Sequence, residues 1–415
     1  MPWRGRACFL MVYIFFKLIG LLPFGMKIGK STGDSGDVSY SILGAIYNIL
    51  LIPILMYMGS NSVAAMFDFD YPYKSRMIET IRVTKATVGT IVVILIWLHV
   101  TLTQDRAAKI ANGLRNFDRT LINQKSIRRS PLVGLRIPVV FLINANLWMI
   151  LLVIDVLQFG VYVERTFMAT RLPSFVLNWF IIQYSLLLIL LEMRFRAINE
   201  GLIRLSVTFT STYTTTEITS DDFTVRRLLD IRNSYELLYK ITRDISHLYS
   251  LPILFAITVS CGAIVDTSYY LIKPFFAGLQ DLTSLLALDS VLYLAMELFP
   301  VTAMAISVTR IKNEMELTAD AVHDLLSVVT TFRELKSQLK IFSLELLHRR
   351  VDFTAYGFFS LDCTLLHSIA NMTGTYLVIL MQFYSLNLKN ECDSRCTDHP
   401  NPTIRFNATT PHGEL

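Results

Sequence analysis

The stretch IPVVFLINANLWMILLVIDVLQFGV, residues 137–161, decides the fold: 25 residues carry a single charge, Asp155. A hydrocarbon core of roughly 30 Å is crossed by about 20 apolar residues in helix. Helix is the state that satisfies backbone polar groups within one segment in lipid. Six further blocks of this kind lie at about 40–60, 82–103, 173–195, 246–272, 283–308 and 356–387. Apolar residues make up 53% of the 415-residue chain and charged residues only 17%, too little charge to cover a soluble protein of this length. The expectation is an all-α membrane protein of seven transmembrane helices.

Orientation follows from Lys and Arg. With the amino terminus inside, the segments 1–38, 104–135, 194–245 and 309–355 are cytosolic and hold 27 of them, against 8 in the segments left outside. That bias is what the positive-inside rule requires. The net charge of +5 is accounted for by loops facing anionic lipid, so no nucleic-acid partner is needed. The division expected is 1–38 as a cytosolic segment with a short interfacial helix, and 39–308 as spans 1–6 with cytosolic helical extensions. A cytosolic anchor helix over 309–355, span 7 over 356–387 and an extracellular tail over 388–415 complete it. The apolar run Cys8 to Met26 follows Arg4 and Arg6 and has a second reading as a signal peptide. Lys17 within it, and the lack of a small-x-small cleavage site, favour a retained helix.

In the tail, Asn407-Ala-Thr is a glycosylation sequon, usable only outside the cytosol. Cys392 and Cys396 are close enough to pair there, or to stay free. No His/Cys spacing suggests a metal. No Walker A loop, HExxH, GxSxG or catalytic dyad is present, so no enzyme and no cofactor are expected.

Two cytosolic stretches carry apolar stripes at helical spacing. One runs Leu228, Ile231, Tyr235, Leu238, Ile241, Ile245 and Leu248. The other runs Met315, Ala319, Val322, Leu326, Val329, Phe332, Leu335, Leu339, Phe342 and Leu346. They make either an intracellular hairpin or a helical domain that holds subunits together. The Ser/Thr-rich stretch VTFTSTYTTTEITSDD, 207–222, reads as a linker loop.

Carboxylates inside a bilayer are expensive and mark functional sites. The topology puts Asp155, Asp266 and Asp289 in the outer halves of spans three, five and six. Trp179 and Gln183 lie in span four, and Tyr269, Tyr270 and Tyr293 sit at similar depth. Each has a structural reading, as helix brace or interfacial belt. Together they suggest one ligand pocket open to the outside. Glu192 and Glu297 fall nearer the cytosolic ends and read as structural.

The last block is polar for a lipid anchor, with Gly357, Asp362, Asn371, Thr373, Gly374, Thr375 and Gln382. Thr375, Ile379, Gln382 and Leu386 share one helical face. That face lines a pore about a symmetry axis, or the helix is packed inside its own bundle.

Here the sequence resembles the insect gustatory receptors. TYLVILMQF, residues 375–383, fits their TYhhhhhQF signature, and FTAYGFFSLD, 353–362, is similar to the segment leading into their last span. Leu22-Pro23-Phe24 resembles their turn before the first span. The resemblance implies a tetrameric ligand-gated cation channel, homomeric or mixed with other gustatory receptors, of inverted topology. It would sit in the plasma membrane of chemosensory neurons and take a small-molecule tastant in the outer half of each subunit. It implies that Ile379, Gln382 and Phe383 form or border the gate, that Thr375 and Tyr376 hold the helix, and that the two stripes are anchor helices. Sugar-sensing members typically carry an acidic residue after the TY pair; here it is Leu377. The chain is therefore more similar to bitter, deterrent or contact-pheromone members, with a sugar receptor as the alternative. A G-protein-coupled receptor is a further alternative, but Glu164-Arg165 would lie outside and the last span has no NPxxY.

Overall fold

A computed structural model describes residues 3–26, 38–68, 76–123, 135–159, 171–212, 221–277, 284–329 and 332–397. Its helices are α1 Trp3–Leu18, α2 Ile42–Asp68, α3 Arg76–Leu102, α4 Gln104–Asn123, α5 Arg136–Phe159, α6 Leu172–Thr212, α7 Asp221–Ala277, α8 Ser284–Val328, α9 Arg333–His348 and α10 Thr364–Thr397. A two-residue ladder pairs β1, Gly25–Met26, with β2, Val38–Ser39.

Among the described residues, seven helices are long and apolar enough to cross a membrane: α2, α3, α5, α6, α7, α8 and α10. Three overshoot the bilayer by far. At 1.5 Å per residue, the 57 residues of α7 reach about 85 Å. The α6 helix is the hub, packed chiefly on α8 and then on α7. Of its most apolar stretch, 83% is buried, against 11% for α10. The last span therefore sits at the edge of the helix bundle, packed mainly along α7, which removes the reading that it lies inside its own bundle.

The extension of α7 buries Leu228, Ile231, Tyr235, Leu238, Ile241 and Ile245, with Leu248 half-buried at the end. The second stripe departs from expectation. It is not one helix: α8 ends at Val328 and α9 starts at Arg333. The buried line on α8 runs through Ile311, Thr318, Val322 and Leu325, and leaves Ala319 exposed. Thr318 takes that line because its hydroxyl bonds Asn199 Oδ1 at 2.6 Å. The α9 helix returns its own face, Leu335, Leu339, Phe342 and Leu346, onto α7 and α8. Phe342 meets the Tyr235 ring edge-on at 5.7 Å, and Arg232 pairs with Glu345.

The final span starts at Thr364, not at 356. Residues 353–361 form a tight bend with a bridge between Thr354 and Ser360 and left-handed backbone at Tyr356 (φ 51°) and Gly357 (φ 80°). Asp362 stops the bend and starts α10: its Oδ1 accepts the Thr364 amide at 3.1 Å, and its Oδ2 accepts Lys312 and Ser360, each at 2.7 Å. Burial opposes its charge, but these donors outweigh it and hold the carboxyl well below the usual carboxylate range. The helix continues past 387 to Thr397. The side chains of Cys392 and Cys396, and all of Asn407, lie outside the described residues, as do residues 213–220 of the expected loop at 207–222; its two ends are helix instead, 207–212 continuing α6 and 221–222 opening α7.

The amino-terminal segment is more than an interfacial helix. Phe16 and Leu21 are buried in the core. Four successive carbonyls after α1 are each bonded by a side chain from a span. Tyr47 donates to Leu18 O at 2.6 Å and Trp97 to Ile19 O at 3.0 Å. Asn48 donates to Gly20 O at 2.8 Å and Gln183 to Leu21 O at 3.3 Å. Gly20 has φ +83°, which turns the chain so that these carbonyls face α2, α3 and α6.

Candidate functional site

Two neighbouring zones hold the expected ligand residues. The first is a lattice of charge among five helices. Asp155 of α5 and Asp289 of α8 do not face an open pocket; Arg171, at the head of α6, spans them. Its guanidinium lies 3.2 Å from Asp155 Oδ1 and 2.9 Å from both oxygens of Asp289. Asp266 of α7 takes Lys85 of α3 at 3.3 Å. Between the pairs stands Tyr293 of α8, with Arg171 4.2 Å and Lys85 4.8 Å from its ring centroid. Its hydroxyl bonds Ser174 at 2.9 Å. Glu297, one turn further on, is 2% exposed beside Tyr293, Ser174 and Ser260. Charges are held in such surroundings only when paired, since an isolated one costs several kcal/mol or more to bury.

The second zone is aromatic. Trp179 is buried against Phe15 (centroids 4.4 Å), Phe141 (5.0 Å) and Phe16 (6.0 Å). Gln183 is committed to the Leu21 carbonyl. These two residues seat the amino-terminal segment rather than joining the charged lattice. Phe175 links the zones, 4.9 Å from Trp148 and 6.2 Å from Trp179. Tyr269 is buried next to Tyr270, whose hydroxyl accepts a bond from Arg82. Asp155, Asp266, Asp289 and Tyr293 thus come together, Tyr269 borders them, and Trp179 and Gln183 stand apart.

Sequence reading missed the cations. Lys85 interrupts an apolar block and Arg171 begins one, so each was a charge that needed a partner. Glu297 was set aside as structural, yet it follows Asp289 and Tyr293 at steps of four, on their face of α8. Glu192 keeps its structural role, paired with Arg136 and, at 3.9 Å, with Arg310. Among the described residues no three His, Cys, Asp or Glu side chains gather to hold a metal.

The expected gate residues share one property. Thr375, Tyr376, Ile379, Gln382 and Phe383 are all exposed on the surface of the chain, as is Asn371. Their helix turns inward only through Leu365, Ile369 and the half-buried positions that follow.

A family model described as 7tm Chemosensory receptor matches residues 9–387. This chain belongs to the 7tm chemosensory receptor family. Membership bears out the expectation of a receptor rather than an enzyme. The receptor's relatives include three Drosophila melanogaster proteins. Putative gustatory receptor 2a is 57% identical over 47 residues, 11% of each chain. Putative gustatory receptor 28b is 29% identical over 146 residues, 34% of this chain and 31% of that one. Putative gustatory receptor 28a is 28% identical over 173 residues, 41% and 38%. The matched stretches thus span well under half of each relative's length. Two solved structures of the insect olfactory receptor OR5 from Machilis hrabei share the receptor's fold. The first has a TM-score of 0.63 at 13% identity and covers 91% of this chain and 98% of that one. The second, in complex with eugenol, has a TM-score of 0.57 at 14% identity, covering 92% and 99%.

Proposed function

We propose that this receptor is one subunit of a ligand-gated, non-selective cation channel in the plasma membrane of chemosensory neurons, opened by taste stimuli. The amino terminus lies in the cytosol. Four copies, identical or mixed with other gustatory receptors, place their last spans around a central pore. The cluster of Asp155, Asp266, Asp289 and Tyr293, bordered by Tyr269, receives the ligand, while Trp179 and Gln183 hold the amino-terminal segment against the same bundle. Leu377, where an acidic residue would favour sugars, supports bitter, deterrent or contact-pheromone compounds as the stimulus class.

The observation that carries this reading is the exposure of α10. Only 11% of its apolar stretch is buried, yet Asn371, Thr375 and Gln382 lie exposed along one side. Polar groups facing acyl chains are costly. Facing a water-filled axis they are solvated, while Ile379 and Phe383 supply an apolar constriction that closes by excluding water. The relatives named as gustatory receptors support the taste assignment, and the OR5 complex with eugenol supports a small-molecule ligand.

A ligand opens such a pore only by binding the open arrangement more tightly than the closed one. The test is to express the full chain in a heterologous cell and record currents from Ile379→Ala and Gln382→Ala. Altered gating by the first and altered ion selectivity by the second are expected. Wild-type gating and selectivity in both would remove α10 from the pore. Epitope tags at both termini of intact cells check the orientation: an external amino terminus contradicts it.

A further inference from the structure

Around the Tyr293 ring stand four carboxyl groups, Asp155, Asp266, Asp289 and Glu297. Among the described residues, Lys85 and Arg171 lie over that ring, and Arg82 is bonded to Tyr270 beyond them. Two carboxyl oxygens, Asp155 Oδ2 and Glu297 Oε1, are shut off from solvent and have no hydrogen-bond donor. Their side chains are 3% and 2% exposed. A buried acceptor left without a donor is costly, so what this place lacks is a donor, and the four carboxyl groups favour a positive one. The ring supplies the rest of the recognition. Its faces already meet two cations, at 4.2 and 4.8 Å, the arrangement by which aromatic rings recognise organic cations.

We propose that the site takes an organic cation, a protonated amine or amidine on an apolar body, and that Lys85 and Arg171 hold its place until it arrives. The proposal rests on the reading of this cluster as the ligand site. An anion is repelled by the acids, and a neutral polyol leaves their charge uncompensated. Phe175 and Trp148 provide the apolar wall beside Ser174. Arg171 straps α5 to α8 through Asp155 and Asp289 from the head of α6. A competing cation on those carboxylates releases the strap. That release is the source of differential affinity between two arrangements of the bundle, without which a ligand shifts nothing.

The test uses the full-length receptor purified into lipid nanodiscs, with benzylammonium, benzyl alcohol and benzoate as probes and thermal unfolding as the readout. Benzylammonium is expected to raise the unfolding temperature and the other two to leave it unchanged. Asp155→Asn and Glu297→Gln each weaken benzylammonium binding at least tenfold. Arg171→Gln strengthens it, because the competitor is gone, which a purely structural Arg171 would not do. If Asp155→Asn does not fold, Glu297→Gln and Lys85→Met carry the comparison. Equal stabilisation by benzyl alcohol, lost in Tyr293→Ala, would overturn the cation assignment and leave the ligand site standing. No stabilisation by any probe, or stabilisation indifferent to Tyr293, Asp155 and Glu297, would overturn both.

Discussion

Replacing Gly44 by alanine should pull the amino-terminal segment out of its seat. A Cβ at Gly44 would stand 1.7 Å from the Pro23 carbonyl oxygen and 2.6 Å from its carbon. Both partners are backbone, so no side-chain rotation relieves the clash. Pro23 must retreat by more than one ångström to reach ordinary contact, and the residues before it are held at 2.6–3.3 Å by Tyr47, Trp97, Asn48 and Gln183. A displacement of that size breaks the longer of these bonds. Two lost bonds at about 1 kcal/mol each, with buried donors then unsatisfied, put the loss at about 2–4 kcal/mol. The assay is the thermal unfolding of purified full-length receptor, read by loss of the monodisperse species. Gly262→Ala is the control: its added Cβ meets nothing within 4 Å, and alanine in a helix interior is favoured by about 0.5–1 kcal/mol. Gly44→Ala should unfold several degrees lower and Gly262→Ala at or above wild type. Coincident curves for the two variants would show that the carbonyl seat contributes nothing to stability.

Two further perturbations probe the helical extensions beyond the spans. Asp362, whose folded carboxyl is held below the ordinary range, stabilises the receptor fully at neutral pH. That contribution fades as pH falls below about 4, where the unfolded carboxyl protonates. Asp362→Asn should therefore be less stable than wild type at pH 7, with the gap narrowing by pH 3; a gap independent of pH would refute the bonding scheme. Leu339 is fully buried where α9 meets its neighbours, so Leu339→Ala should cost about 2–5 kcal/mol. Limited proteolysis should then open the chain between α8 and α9 before the spans; unchanged proteolysis there would argue against α9 as a packed element.

The spans were legible because hydropathy over 20 residues needs no knowledge of partners. So was the convergence of Asp155, Asp266, Asp289 and Tyr293, since depth follows from topology. Their closure was not. Arg171 and Lys85 lie 118 and 181 residues from Asp289 and Asp266, and one-dimensional spacing says nothing of which charges meet. The break between α8 and α9 escaped notice because Val329, Phe332 and Leu335 keep a helical step of three across it. The stripe continues although the helix stops at Val328 and Phe332 is extended. Ala319 was misplaced because alanine is a weak witness to burial, whereas Thr318 is inside only by virtue of Asn199. The last span was begun too early because FTAYGFFS is apolar enough to extend it, although Tyr356 and Gly357 adopt left-handed backbone that ends any helix.

The docked amino-terminal segment also sets a timetable for biogenesis. The Leu21 carbonyl waits for Gln183, 162 residues later in the chain. At about 5–20 residues per second of synthesis, the ribosome needs on the order of 10–30 s to deliver it. Throughout that interval Phe15 and Phe16 have no Trp179 to pack on, and the nascent chain must shelter them in lipid or in the insertion machinery. Residues made well before their partners are among the last to settle.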